Sequence, residues 1–366
     1  MEQLTVHASA QSYPVYIGEN VLHQTESLLK EKLAGKSKAM IITDTNVGEL
    51  YAEDLRLCLD PMLPVCVETV PNGESAKSLA SYERLLTACI REGLDRQSII
   101  FALGGGVIGD LAGFVAATYM RGIPFVQVPT TLLAHDSSVG GKTGINHELG
   151  KNLIGAFHQP SAVLYDTQTL MTLPDREWRS GFAEMIKHAY INDSEFLQWL
   201  KENVRSIEDI KTNKIRPFLK RSIAVKADIV KEDEKEAGVR AYLNFGHTLG
   251  HAIEKLAGYN GDVTHGEAVA AGMMFAMRVS NYLGLSNWDV EEEVKWLEAL
   301  GFPVNIPAGF SAQTFIETMK KDKKATSGQL TFVLVEKPGC PLLKTVEEHL
   351  LYELLNNDKR GMTSGD

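Results

Sequence analysis

Short β-branched and apolar runs alternate with helical spacing through the first half of the chain. Met40-Ile41-Ile42-Thr43, Ser98-Ile99-Ile100-Phe101-Ala102-Leu103, Phe125-Val126-Gln127-Val128 and Ala162-Val163-Leu164-Tyr165 read as buried strands. Between them, Ser78 to Glu92 and Val107 to Thr118 carry apolar residues at helical spacing. Strands without a polar face, separated by helices, predict a parallel sheet covered on both sides. The texture changes near residue 180. Beyond Phe182 the spacing predicts helices over Ser194–Val204, Ile215–Val230, Gly246–Leu256, Gly266–Tyr282 and Val290–Leu300. One late strand, Gln329 to Val335, precedes an amphipathic helix from Thr345 to Leu355, and Gly361 to Asp366 reads as a frayed polar end. The expected architecture is an α/β N-terminal domain, residues 1–178, plus a mostly α-helical C-terminal domain, residues 179–366.

Composition narrows the function. A chain of 366 residues accommodates two domains and a full core. Lys plus Arg is 37 and Asp plus Glu is 47, a net charge of −10, which disfavours nucleic acid and anionic membranes as partners. No apolar run reaches the length of a membrane span. Cys58, Cys66, Cys89 and Cys340 form no CxxC pair, and Met1 to Thr5 resembles neither a signal nor a transit peptide, so a cytoplasmic enzyme is expected.

Gly104-Gly105-Gly106-Val107-Ile108-Gly109-Asp110 follows a predicted strand and opens a predicted helix. That is the context in which G-x-G-x-x-G holds a dinucleotide pyrophosphate against a helix N-terminus, so the sheet is expected to be Rossmann-like. The acidic residue that usually follows about 20 positions later is missing, because Pro124 stands there; Asp44, after the first strand, is the better ribose ligand. Ser137 to Gly144 is rich in glycine and ends in Gly-Gly-Lys-Thr-Gly without P-loop spacing. It reads equally as a phosphate cradle and as a surface loop.

The second half carries imidazoles. His247 and His251 stand at i, i+4 on one helix face. Thr248 occupies the place where a zinc protease has glutamate, which excludes that reading. His265 follows in Thr264-His265-Gly266-Glu267, and Glu184 and Lys187 share a face at i, i+3. Two histidines and a carboxylate would suit a catalytic metal with an open position. Spacing does not choose which two histidines, and the same residues could be hydrogen-bonded between packed helices. Lys320-Lys321-Asp322-Lys323-Lys324 reads as a solvated face.

Taken together, Gly104 to Asp110, Val128 to Leu132, Val139 to Thr143, Leu149 to Gly155, Phe182 to His188, Asn244 to His251 and Thr264 to Val269 resemble, in order, the 3-dehydroquinate synthases of the sugar phosphate cyclase superfamily. The resemblance spans residues 40 to 335. It implies conversion of 3-deoxy-D-arabino-heptulosonate 7-phosphate to 3-dehydroquinate and phosphate in the shikimate pathway. The steps would be transient oxidation by NAD+, phosphate elimination, re-reduction, ring opening and aldol closure. It further implies a homodimer and a divalent metal, zinc or cobalt, on Glu184, His247 and His265. NAD+ would be held by Asp44, Asn46, Glu74, Lys77, Gly105, Gly106, Val107, Asp110, Thr130, Thr131, Lys142, Lys151, Thr169 and Thr172. Substrate phosphate would fall to Lys142, Asn152, Asn244, His251 and a lysine of the 323–324 pair, with Arg121 reaching from the second subunit. Its carboxylate would fall to Lys226 and Arg240, and Asp136 and Lys187 would stand near the ring hydroxyls. Leu132 to Asp136 is one residue shorter than the family's common form, and His135 inherits no role. Cyclases acting on sugar phosphates without a carboxylate would not need the Lys226 and Arg240 pair. A metal-dependent alcohol or glycerol dehydrogenase would accumulate NADH, and a nucleotide-binding regulator would need none of the intact cluster.

Overall fold

The computed structural model describes residues 1–366 except 10, 213–214, 259–261, 308, 323–328 and 361–366, and the side chains of 322 and 358–360. The chain divides into two compact units. The first is Met1–Leu173 with Lys214–Lys235, and the second is Pro174–Asn213 with Glu236–Asp366. This differs from a single cut at 178. The Asp175–Asn192 helix already belongs to the second unit, and the Ile215–Glu232 helix returns to the first. Helical spacing marks that returning helix but carries no information on which core its apolar face enters.

The first unit is built on a seven-stranded sheet. Its strands are β1 (Glu2–His7), β2 (Ser12–Gly18), β3 (Ala39–Asp44), β4 (Val65–Val70), β5 (Ile99–Gly104), β6 (Phe125–Pro129) and β9 (Ala162–Asp166), in the spatial order β1-β2-β9-β6-β5-β3-β4. Between β6 and β9, strands β7 (Lys142–His147) and β8 (Gly150–Phe157) form a separate antiparallel hairpin. All pairings in the large sheet are parallel except β1 with β2. The four strands anticipated from apolar runs are β3, β5, β6 and β9, the buried centre. Their alternate residues feed two cores: Met40, Ile42, Ile100 and Ala102 enter one, while Ala39, Ile41, Phe101 and Leu103 enter the other. That is why these runs carry no polar face.

The second unit is mainly helical. Its helices include Asp175–Asn192, Ser194–Asn203, His247–Leu256, His265–Tyr282, Val290–Ala299 and Ala312–Asp322. The late strand is β10 (Leu330–Val335). The helix expected from Thr345 begins later, at Glu348, because Pro341–Val346 is strand β11, paired antiparallel with β10. The ladder partner that β10 requires overrides the helical spacing there. The expected frayed end, 361–366, lies outside the described residues. Among the described residues no helix is long and apolar enough to cross a membrane.

Candidate functional site

In the first unit, parallel pairing puts the C-terminal ends of β3, β5, β6 and β9 on one edge of the sheet, where open α/β sheets bind ligands. Each of these ends runs into residues singled out from the sequence. From β3 the chain enters Asp44, whose Oδ1 accepts from the Asn46 and Val47 amides at 2.9 Å and so is engaged in capping. From β5 it enters the glycine turn and the Gly106–Thr118 helix, whose N-terminus no side chain caps. Its first amides are thus the donors an anion would need. From β6 it enters Thr130, whose amide donates to Gly104 O at 3.1 Å and whose buried Oγ1 has no hydrogen-bond partner among the described residues. From β9 it enters the 3₁₀ segment Thr167–Thr172, where the Thr172 and Tyr51 hydroxyls lie 2.9 Å apart. An uncapped helix start beside an unsatisfied buried hydroxyl fits a nucleotide phosphate.

The glycines of the turn also answer to packing. A Cβ at Gly105 would stand 2.9 Å from Thr131 Cγ2, and one at Gly106 would stand 2.9 Å from Ser137 Oγ. Tyr165, buried, donates to Thr131 O at 2.6 Å and holds that segment against the turn.

The β7–β8 hairpin assembles a polar network in the same unit. Lys77 Nζ donates to Asp110 Oδ2 at 2.7 Å and to Asn152 Oδ1 at 2.5 Å. The Asn152 amide donates to Asn146 Oδ1 at 2.9 Å, and Asn146 Nδ2 donates to Glu74 Oε1 at 2.7 Å. Lys151 Nζ stands 3.8 Å from the same Glu74 oxygen. Burial works against the charge on Lys77, but the Asp110 and Glu74 carboxylates outweigh it and hold its pKa above the ordinary lysine range. Glu74, Lys77, Asp110, Lys151 and Asn152 are therefore neighbours although they span 78 positions. Asn146, the centre of the network, was not anticipated. Its signal was its place on the first strand of a hairpin, opposite the Gly150 to Asn152 run.

Lys226, on the returning helix, donates to Asp136 Oδ2 at 2.8 Å and to Asp136 O at 2.6 Å. Both residues belong to the first unit, whereas Arg240 belongs to the second, where it is fully buried on the 3₁₀ segment Val239–Asn244. Lys142 and Arg121 are exposed, and Val107 is half-buried. Asn244 Nδ2 donates to Glu236 Oε1 at 2.9 Å. Lys323 and Lys324, the pair expected to offer a phosphate ligand, lie outside the described residues.

In the second unit, close helix contacts build the imidazole cluster. Gly246 sits at φ +80° before the His247–Leu256 helix, a conformation that disfavours any residue with a Cβ. A Cβ at Gly272 would run into Gly246 O, and one at Gly266 would run into Ser180 O. The three helices that carry Glu184, His247 and His265 thus pack backbone to backbone. The start of the His265 helix is fixed by a capping box between Thr264 and Glu267, with Arg176 and Arg179 at 3.2 and 3.7 Å from the Glu267 carboxylate.

Within this frame Glu184 Oε1 stands 3.7 Å from His247 Nε2 and 3.5 Å from His265 Nε2. Glu184 Oε2 accepts from the buried Lys187 ammonium. His247 Nδ1 lies 3.1 Å from Phe245 O, and His265 Nδ1 lies 3.2 Å from Glu254 Oε2. Burial holds the His247 pKa well below the ordinary imidazole range. Around His265 burial acts the same way, but the Glu254 and Glu184 carboxylates outweigh it and raise the ring to about 10, so a cation bound there would displace a proton. One ligand atom from each of Glu184, His247 and His265 lies within 4.8 Å of the others, a donor set that fits a divalent metal. The His251 ring centroid lies 5.3 Å from that of His247 and 6.2 Å from that of His265. Glu254 was missed, yet the signal was present: His247, His251 and Glu254 stand at i, i+4, i+7, one helix face.

A family model described as 3-dehydroquinate synthase N-terminal matches residues 67–180, and one described as 3-dehydroquinate synthase C-terminal matches 181–325. The 3-dehydroquinate synthase of Halalkalibacterium halodurans is 52% identical over 356 residues, covering 97% of this chain and 98% of that protein. The crystal structure of 2-deoxy-scyllo-inosose synthase complexed with carbaglucose-6-phosphate, NAD+ and Co2+ is similar at a TM-score of 0.88 and 27% identity, over 97% of this chain and 99% of that one. The structure of ValA (2-epi-5-epi-valiolone synthase) from Streptomyces hygroscopicus subsp. jinggangensis 5008, with NAD+ and Zn2+ bound, gives 0.86 at 25% identity, over 96% and 98%. The two family models meet at residues 180 and 181 and together cover the glycine turn and the imidazole cluster, and a relative matched almost end to end shares half of its positions. On that sequence likeness, with a fold like that of the sugar phosphate cyclases, the chain belongs to the 3-dehydroquinate synthase family.

Proposed function

We propose that this chain is a lyase that converts 3-deoxy-D-arabino-heptulosonate 7-phosphate into 3-dehydroquinate and phosphate, with NAD+ and a divalent metal, zinc or cobalt. Family membership along nearly the whole chain supports the reaction. The observation that carries it to particular residues is the convergence of Glu184 Oε1 on the Nε2 atoms of His247 and His265. Two imidazoles and a carboxylate suit zinc or cobalt, and the related cyclase structures hold NAD+ with Co2+ or Zn2+. When bound, the metal would supply Lewis-acid polarisation of a substrate hydroxyl, and NAD+ would supply a hydride acceptor restored within each turnover.

The chain's own groups bind and orient. Asp44 and Asn46 take the ribose side of NAD+, and the amides of Gly105, Gly106 and Val107 take the pyrophosphate. Glu74, Lys77, Asp110, Thr130, Thr131, Lys151, Thr169 and Thr172 enclose the rest. Burial keeps the His247 imidazole neutral, the form able to ligate a cation. The Lys187 ammonium holds Glu184 in place while standing near a substrate hydroxyl. Lys226, which donates to Asp136, is a ligand for the substrate carboxylate, and Arg240 is a second candidate. Lys142, Asn152, Asn244 and His251, with Arg121 of the partner subunit, receive the phosphate. An acidic protein thereby presents a local cationic surface to an anionic substrate, and the work is positioning and electrostatic preorganisation. A homodimer in the cytoplasm completes the reading; four free cysteines are compatible with that reducing compartment.

The test is phosphate release from 3-deoxy-D-arabino-heptulosonate 7-phosphate with NAD+ and Zn2+, with NADH absorbance followed in the same cuvette. Steady phosphate release without net NADH, abolished by a chelator, is expected. Absence of phosphate release would overturn the substrate assignment, and NADH accumulating with simple alcohols would make the chain a dehydrogenase.

A further inference from the structure

The His247–Leu256 helix presents a carboxylate to the imidazole cluster that the functional reading does not use. Glu254 is buried, at 8% exposure, and its Oε2 lies 3.2 Å from His265 Nδ1. The Nε2 atom of the same ring points the other way, 3.5 Å from Glu184 Oε1. His247 shows a parallel arrangement, with Nδ1 against Phe245 O and Nε2 toward Glu184. Each ring thus has one nitrogen engaged by an oxygen acceptor outside the cluster and the other directed into it. An imidazole whose Nδ1–H is donated to a fixed acceptor is held in one tautomer and one orientation, and its Nε2 becomes the more basic atom.

We propose that Glu254 is a positioning residue for the cation site: it accepts the Nδ1 proton of His265, fixes the ring, and leaves Nε2 as the donor beside Glu184 and His247. This rests on the reading of Glu184, His247 and His265 as metal ligands. In this proposal Glu254 acts through His265; its carboxylate also falls with His251 and His265 in a second group whose ligand atoms lie within 4.8 Å of one another.

The experiment compares the full-length wild type with Glu254→Ala and Glu254→Gln. Each is stripped with a chelator and then titrated with Zn2+ against a competing fluorescent chelator and with Co2+ by visible absorption. Wild type should bind one cation. Glu254→Ala should bind about 10–100-fold more weakly, the range for loss of an outer-shell partner, with an altered Co2+ spectrum. Glu254→Gln should fall between, because its amide oxygen still accepts from Nδ1–H while the charge is gone. Should Glu254→Ala fail to fold, as judged by its thermal melt, Glu254→Gln alone decides: weaker binding supports the proposal and unchanged binding overturns it. Equal affinity and spectrum in all three proteins overturn the proposal and leave the site reading intact. A wild type that takes up no cation overturns the site reading and the proposal with it.

Discussion

The two units arrange their chemistry by opposite means. Around Lys77 in the first unit, donors meet acceptors: ammonium faces carboxylate, amide faces carbonyl, and the network closes on itself through Asp110, Asn152, Asn146 and Glu74. Around Glu184 in the second, three groups able to ligate a cation converge. A carboxylate oxygen faces two Nε2 atoms whose partner nitrogens are already bonded elsewhere. A self-satisfied network contributes to stability directly, because separating its members strands buried charge. A convergence of ligand groups is positioned by the backbone frame around it. The first kind of site should therefore fail through its side chains and the second through its backbone contacts.

The sharpest way to break that contrast is Gly272→Ala. The added methyl would run into Gly246 O and force apart the helices that carry His247 and His265. We expect destabilisation of more than about 4 kcal/mol, the range reserved for severe core changes, read by chemical denaturation. A loss below about 1 kcal/mol, well under that range, would show that the helices yield and that the frame is not what holds the donors. Next in size is Lys77→Met. Lys77 is buried and its partner Asp110 half-buried, at 5% and 22% side-chain exposure, so we expect a cost of about 2 kcal/mol, below the ~3–5 kcal/mol for stranding a fully buried charge. Adding Asp110→Leu should recover much of it. A double variant no better than the single would show that the network does not couple the two residues. The sign with pH follows from the raised Lys77 pKa. The pair's contribution is complete below about 10.4, the unfolded value, and is lost as pH climbs through the folded value. The gap between wild type and Lys77→Met should accordingly narrow in strong base.

How much of this could be read in advance follows the same divide. Strands β3, β5, β6 and β9 announced themselves because both of their faces are buried. The β1–β2 hairpin did not. Its alternation of Leu4 and Val6 with polar neighbours is short, and its register depends on a partner strand. The expected helix begins too early, at Thr345, because pairing with β10 holds Thr345 and Val346 in a strand. The return of Ile215–Glu232 to the first unit is a tertiary fact with no local signature. In the imidazole cluster, spacing pointed to His247 and His251, since i, i+4 is visible on one helix. The approach of Glu184 and His265 depends on glycine contacts between three helices, which no single segment encodes. The family resemblance supplied that set, not the spacing.

The smallest effect expected is also the one that best separates packing from binding. The glycine turn has two explanations, a close approach by a pyrophosphate and close packing by Thr131 and Ser137. Gly106→Ala tests them separately, because Gly106 begins the helix at ordinary dihedrals and alanine favours helix there. Its Cβ would meet the Ser137 side chain alone, Oγ at 2.9 Å and Cβ at an ordinary 3.4 Å, and the hydroxyl can rotate away. The melting temperature should therefore stay near that of the wild type. A methyl at the first helical position would nonetheless stand among the uncapped amides, and NAD+ affinity, measured by calorimetry, should fall by about tenfold, or 1.4 kcal/mol. Unchanged affinity with an unchanged melt would assign the turn to packing alone and move the pyrophosphate away from the end of β5. The first unit would then resemble the Lys77 network throughout, with every special residue answering to its protein neighbours. Lost affinity with an unchanged melt would mark the turn as the place in that unit where, as in the second, backbone geometry is held ready for a partner from outside the chain.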